Sequence, residues 1–346
     1  MPSKKIITVF GATGNQGGSI VEKFISDPKL KDEWAVRGVT RDVSKDSAKK
    51  LASRGVEVVS ADMNDKESLL KAIAGSHTVF GVTNYWEKLS KDVEIQQGKN
   101  IADAAKVCAL PLDQDARRKG IPILTIPAGP QEAGVQHFIW SSLLNVTEAS
   151  KGKLSQVYHF DSKAEVGDYV RSLGIPATLF LAGWYMINFE APNWFRPSGP
   201  DNAWTFYVPG PSTSPMPMYD VRDTGKYVKA IVLNREALLG GRVLAATEYK
   251  TFDELLVDFR RVFPRDGANS RFYEVPDEQY LEGVRSAGMP DFVGHEMLQN
   301  IQLLGQFGYY AGESLDETHK LVDSVGEKLT TWAEWLPESP VFKDLQ

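Results

Sequence analysis

The sequence predicts a doubly wound α/β fold with a parallel sheet, on three observations. Strand-like runs alternate with amphipathic helical segments through the first half of the chain. A glycine-rich turn directly follows the first run, and after Gly183 the composition changes to aromatic, proline-rich and turn-rich sequence. The runs fall at residues 6–10, 35–40, 56–60, 78–83, 137–141 and 177–181. Between the first two, residues 17–26 set Ile20, Val21, Phe24 and Ile25 on one helical face, and 66–74 and 93–106 read the same way. These elements predict a dinucleotide-binding domain over 1–182. A smaller, mostly helical portion is expected over 183–346, with 220–246 packing back on the sheet. Its aromatic stretch, from Trp184-Tyr185 through Trp194 and Phe206 to Pro217, reads as loop and pocket wall. Two later helices open with capping boxes, Thr251 to Glu254 and Thr331 to Glu334.

Composition narrows the function. The 346 residues carry a net charge of −6, which argues against an electrostatic nucleic-acid binder with a basic face. Cys108 is the single cysteine, so no internal disulfide forms, and the five histidines, at 77, 137, 159, 295 and 319, make no metal-binding pattern. No run approaches about 18 uninterrupted apolar residues, and the first apolar run is too short for a signal core. The expected setting is a reducing one, cytoplasmic with nuclear access, away from membranes.

The chemistry begins at Gly11-Ala12-Thr13-Gly14-Asn15-Gln16-Gly17-Gly18, a GxxGxxG turn between the first strand and a helix. Gly11 permits the tight turn, Gly14 lets backbone approach a pyrophosphate, and Gly17 lets the helix pack on the strand. Thr13, Asn15 and Gln16 complete the cradle, with the amides of the helix start facing the anion. The second strand ends in Arg41, a cation suited to a 2′-phosphate, with Lys45 as helper. That choice favours NADP(H); the adjacent Asp42 keeps NAD as the second candidate. Asp62 and Met63, after the third strand, are positioned to flank the adenine, and Thr83 and Asn84, after the fourth, to meet the nicotinamide half.

On these residues the sequence resembles the NmrA-like family, an atypical branch of the short-chain dehydrogenase/reductase superfamily common in fungi. The resemblance rests on Val9-Phe10-Gly11-Ala12-Thr13-Gly14-Asn15-Gln16-Gly17, Val39-Thr40-Arg41, Val82-Thr83-Asn84-Tyr85-Trp86, residues 159–166 (His-Phe-Asp-Ser-Lys-Ala-Glu-Val) and Asp220-Val221-Arg222-Asp223-Thr224-Gly225. It implies a Rossmann fold and a cofactor contact from Lys163. The superfamily's usual Tyr-x-x-x-Lys pair is altered, because His159 stands four residues before Lys163. Tyr158 is one residue off, roughly 100° around a helix. Lys163 and His159 are therefore the catalytic candidates, with Ser141 and Ser142 where a catalytic serine would fall. The resemblance implies either of two activities. One is an NADPH-dependent reductase of a small organic substrate in fungal specialised metabolism. The other is a noncatalytic cofactor sensor that regulates a transcription-factor partner.

One segment breaks the pattern. Residues 107–131 stand where a short turn should join a helix to the strand at His137, and removing them brings Lys106 to Glu132-Ala133-Gly134. The segment's 25 residues correspond to 75 in-frame nucleotides; Val107-Cys108 can be encoded GTATGT, a splice-donor string, and Gln131 as CAG. The two readings are a translated unspliced intron and a surface insertion, which costs little entropy.

Overall fold

The structure, a computed structural model, describes residues 3–109 and 134–346. Seven strands make the main sheet: β1 (Lys5–Phe10), β2 (Trp34–Thr40), β3 (Glu57–Ser60), β4 (Thr78–Gly81), β5 (His137–Ser142), β6 (Ala177–Ala182) and, much later in sequence, β11 (Arg242–Ala245). Their order is β11-β6-β5-β4-β1-β2-β3. From β1 the chain moves outward to β2 and β3, then returns across to β4, so the connections reverse direction between β1 and β4. The carboxyl ends of those two strands are the topological switch edge at which such sheets bind ligands. Apolar side chains on both faces explain the strands. Ile7, Val9, Phe10, Val79, Phe80, Phe138, Ile139 and Trp140 are all at most 1% exposed, as a parallel sheet covered on both sides requires.

The helix expected over 93–106 spans Lys91–Ala109, three residues into the segment singled out by sequence; the rest of that segment lies outside the described residues. The chain divides into two compact units. One comprises the described residues up to Leu143 with Ser162–Leu181 and Thr224–Val243, and the other Leu144–Asp161, Ala182–Asp223 and Leu244–Gln346. In the first, the helix Thr224–Leu233 packs on the helix Asn15–Ser26, where Gly225 donates its amide to Ser19 Oγ at 2.9 Å. A Cβ at 225 would stand 2.5 Å from Ser19 O, so only glycine permits this approach. Lys229 pairs with Asp27 at 2.7 Å in the same buried contact.

The second unit departs from the loop reading of its aromatic stretch. β8 (Phe195–Ser198) and β9 (Ala203–Val208) form an antiparallel hairpin that β13 (Arg271–Glu274) extends, and β7 (Trp184–Tyr185), β10 (Met216–Tyr219) and β12 (Glu248–Lys250) form a second small sheet. The aromatics are core. Phe195 stacks on Phe206 across the hairpin with ring centroids 4.1 Å apart, and Phe189 and Phe252 close edge-on against Phe206. Cross-strand aromatic pairing of this kind stabilises strands despite the prolines nearby. Both capping boxes form as read, Thr251 with Glu254 and Thr331 with Glu334. Among the described residues no helix is long and apolar enough to cross a membrane, and no group of three or more His, Cys, Asp or Glu is arranged to hold a metal.

Two histidines at the start of β4 and β5 set an acid limit on stability. His137 is fully buried with Nε2 2.8 Å from Thr178 Oγ1; burial first, then the charge of Arg235, pushes it down to about 3. Burial, with Lys5 and Arg235, likewise lowers His77 to about 4. Both values lie below the ordinary one, so the unfolded chain takes up protons first as pH falls. The stability these neutral rings contribute is complete above about pH 6.5 and lost progressively on descent toward pH 4 and 3, on the order of 3–5 kcal/mol for His137 in full. Urea midpoints should therefore fall between pH 7 and pH 5, and fall less in His137→Gln, which keeps a partner for Thr178 without titrating. Equal slopes in the two proteins would overturn the assignment.

Candidate functional site

The glycine turn is built as its spacing requires. Gly11 has φ +64°, in the left-handed region, and Gly14 N–H donates to Gly11 O at 2.8 Å to close the turn. The helix Asn15–Ser26 then starts with Gly14 as its N-cap and no side chain capping its first amides. These amides and the positive end of the helix are an anion-binding arrangement. Thr13 and Asn15 are exposed at the turn, whereas Gln16 is buried and its Oε1 accepts from Ser141 Oγ at 2.9 Å. Ser141, at the position where the superfamily's catalytic serine would fall, thus ties the turn to β5. Ser142 donates to the Lys163 carbonyl at 3.2 Å, and Trp140 Nε1 donates to the same carbonyl at 2.9 Å.

Lys163 lies on the helix Tyr158–Ser172. Its Nζ is 2.5 Å from Glu94 Oε1, and Glu94 is 2% exposed. The same carboxylate accepts from Thr83 Oγ1 at 2.7 Å through Oε1 and from Ser162 Oγ through Oε2. Thr83 and Lys163, named separately by sequence, are therefore joined through a residue the reading missed. Its signal was legible: in the helix Lys91–Ala109, Glu94 shares the face of Gly98, Ile101 and Ala105, all buried. A carboxylate on an apolar helix face is expected to have a charged or donating partner. Asn84 is exposed at the N-cap of the short helix Tyr85–Lys88.

The adenine-side candidates lie at the ends of β2 and β3. Arg41 follows β2 with its side chain 67% exposed and ion-paired to Glu87; Ser60 Oγ donates to its carbonyl at 3.1 Å. Asp42 turns its carboxylate to the amide and hydroxyl of Ser44, which hold it below the usual range. Lys45 stands at the N-cap position of the helix Asp46–Ala52, with no side-chain capping bond. Asp62 Oδ1 is engaged by the backbone and side-chain nitrogens of Asn64, both at 2.8 Å, and Asn100 Nδ2 donates to Met63 O at 2.8 Å.

His159 belongs to the second unit. Its Nδ1 and its backbone nitrogen lie 2.7 and 2.8 Å from Oε1 of Glu296, a fully buried carboxylate on the helix Asp291–Gln306. A carboxylate against Nδ1 fixes the ring's orientation, as in other oriented histidines. Asp161, also buried, accepts from the amides of Val146 and Thr147 and from Thr147 Oγ1. Glu296 is the second functional candidate the sequence reading missed.

Strand order and glycine turn define the class: a Rossmann-type doubly wound fold with its glycine turn at the switch edge. More narrowly, the chain belongs to the NmrA-like family, whose model matches residues 3–109 and 126–336. The unmatched residues 110–125 fall within the segment that interrupts the sequence pattern. An NmrA-like family domain-containing oxidoreductase, FrzB, from Cladobotryum sp is 32% identical over 275 residues, 74% of this chain and 73% of its own. Among solved structures, the negative transcriptional regulator NmrA in complex with NADP superposes with a TM-score of 0.73 at 20% identity over 98% of this chain and 96% of that one, and it is also known in complex with NAD. The triphenylmethane reductase of Citrobacter sp., complexed with NADP(H), superposes with a TM-score of 0.68 at 20% identity over 96% of this chain and 99% of its own.

Proposed function

We propose that the chain is an NADPH-dependent oxidoreductase that reduces a small organic substrate, in the manner of fungal specialised metabolism, with NAD(H) as the weaker cofactor. The observation that carries this reading is the Lys163 ammonium held on buried Glu94, with Thr83 and Ser162, in the unit that holds most of the seven-stranded sheet. The glycine turn fits a dinucleotide: Gly11 adopts a left-handed φ, and a Cβ at Gly17 would stand 2.2 Å from Gly11 O. In this reading the turn from Gly11 to Gly17, with Thr13, Asn15 and Gln16, would hold the pyrophosphate. Arg41 and Lys45 would hold the 2′-phosphate, Asp62 and Met63 the adenine, and Thr83, Asn84 and Lys163 the nicotinamide half. The cofactor would supply a hydride. The chain supplies the proton, from Lys163 or from His159, one helical turn earlier in sequence, whose Nδ1 rests on Glu296. Support also comes from FrzB, an oxidoreductase by name, and from the NADP-bound structures of similar fold.

The test is NADPH oxidation by purified protein across a panel of quinones, enones and carbonyl compounds. Turnover lost in Lys163→Ala supports the reading; NADPH binding without turnover on any of them removes the enzyme. A second reading is then favoured by His159 in place of the usual tyrosine and by the similarity to a negative transcriptional regulator. It is a noncatalytic sensor whose NAD(P) occupancy changes affinity for a transcription factor. Its mark is NADP⁺ binding at least as tight as NADPH, with cofactor-dependent capture of that partner and no turnover.

A further inference from the structure

In the order β4-β1-β2, the strand that feeds the glycine turn lies between the two strands whose carboxyl ends carry Glu87 and Arg41. Arg41 directly follows β2, and Glu87 sits in the short helix Tyr85–Lys88 after β4. Their ion pair therefore spans the carboxyl end of β1, where the turn from Gly11 to Gly17 begins. It joins two side chains of unequal exposure, 67% for Arg41 and 34% for Glu87, and Lys88 Nζ stands 4.0 Å from the same Glu87 oxygen. Exposed pairs of this kind are weak and exchange partners readily.

We propose that Glu87 is a specificity-determining residue, a counter-ion that holds Arg41 until a phosphate ester takes the guanidinium from it. This rests on the cofactor reading above and deepens it. A dianionic 2′-phosphate outbids a single carboxylate for a guanidinium that can bind it bidentately. A 2′-hydroxyl carries no charge and leaves the Arg41–Glu87 pair closed. Glu87 thus lowers affinity for every ligand that needs Arg41 and leaves the others unaffected, narrowing the discrimination that Arg41 alone would give.

Calorimetric titration with 2′,5′-ADP and 5′-ADP, fragments without a nicotinamide ring, reads this apart from turnover. Glu87→Gln should tighten 2′,5′-ADP about three- to fivefold and leave 5′-ADP within about twofold, the upper scale of one exposed ion pair. Arg41→Ala should weaken 2′,5′-ADP, and in its background Glu87→Gln should tighten nothing. Weakening by Arg41→Ala with no response to Glu87→Gln overturns the counter-ion role and leaves the cofactor reading standing. A gain in Glu87→Gln that persists without Arg41 overturns it as well, reducing the effect to nonspecific charge. If the unaltered protein binds neither fragment nor NADPH, the cofactor reading fails and takes this one with it.

Discussion

Lys163→Ala is expected to lower kcat/KM for NADPH-dependent reduction by about 10²- to 10⁴-fold, the loss that follows removal of a proton-transferring group. Stability changes with it, since Glu94 is 2% exposed and Lys163 12% exposed. Deleting one member of a buried pair leaves the other charge uncompensated, at about 3–5 kcal/mol. In Lys163→Ala the Glu94 carboxylate retains the hydroxyls of Thr83 and Ser162, which puts the cost toward the lower end of that range. Adding Glu94→Gln removes the stranded charge while keeping an oxygen to accept from a hydroxyl. The double variant Lys163→Ala/Glu94→Gln should therefore recover part of the unfolding free energy and none of the turnover. Urea denaturation and steady-state assays on the unaltered protein, the two single variants Lys163→Ala and Glu94→Gln, and the double variant separate the two effects. Turnover that returned with stability would make Lys163 a structural cation and remove it from the chemistry.

What the sequence made legible was whatever local geometry and short-range spacing dictate. The turn from Gly11 to Gly17 was readable because its glycines answer to backbone sterics, and the six leading strands because mostly apolar runs bounded by turns belong to a covered parallel sheet. The aromatic stretch was misread as loop since Pro197, Pro209 and Pro217 outweighed the strand signal, while the stacking of Phe195 on Phe206 depends on a partner eleven residues away. Lys163 was found by motif, but its partner lies 69 residues earlier, and no spacing rule joins them. The same holds for His159 and Glu296, 137 residues apart. Buried acids beside apolar residues of the same helix face were the available signal for both: Glu94 beside Gly98 and Ile101, and Glu296 beside Val293 and Leu303. A sequence states that such a residue needs a partner and leaves the partner to the fold.

Gly17→Ala and Gly14→Ala are expected to fail differently, and the contrast tests the turn as a phosphate cradle. At Gly17 a Cβ would lie 2.2 Å from Gly11 O, 2.5 Å from Gly11 C and 2.9 Å from Ala12 N, all backbone atoms that no rotamer change can move. The helix must shift off the strand, which should cost about 1–3 kcal/mol by the usual scale of overpacking and weaken NADPH about tenfold or more by moving the helix amides. At Gly14 the backbone is extended, φ −96° and ψ −175°, and a Cβ would stand 3.3 Å from a single atom, Gly11 O. The fold accepts that methyl with little loss, within about 1 kcal/mol. The methyl nevertheless occupies the surface over which the pyrophosphate must approach the helix amides. Gly14→Ala should therefore keep its thermal midpoint and still lose NADPH affinity, whereas Gly17→Ala loses both. Calorimetry beside thermal unfolding distinguishes them. Undiminished NADPH binding in a fully folded Gly14→Ala protein would mean that the turn serves helix packing alone and that a dinucleotide, if bound, is held elsewhere.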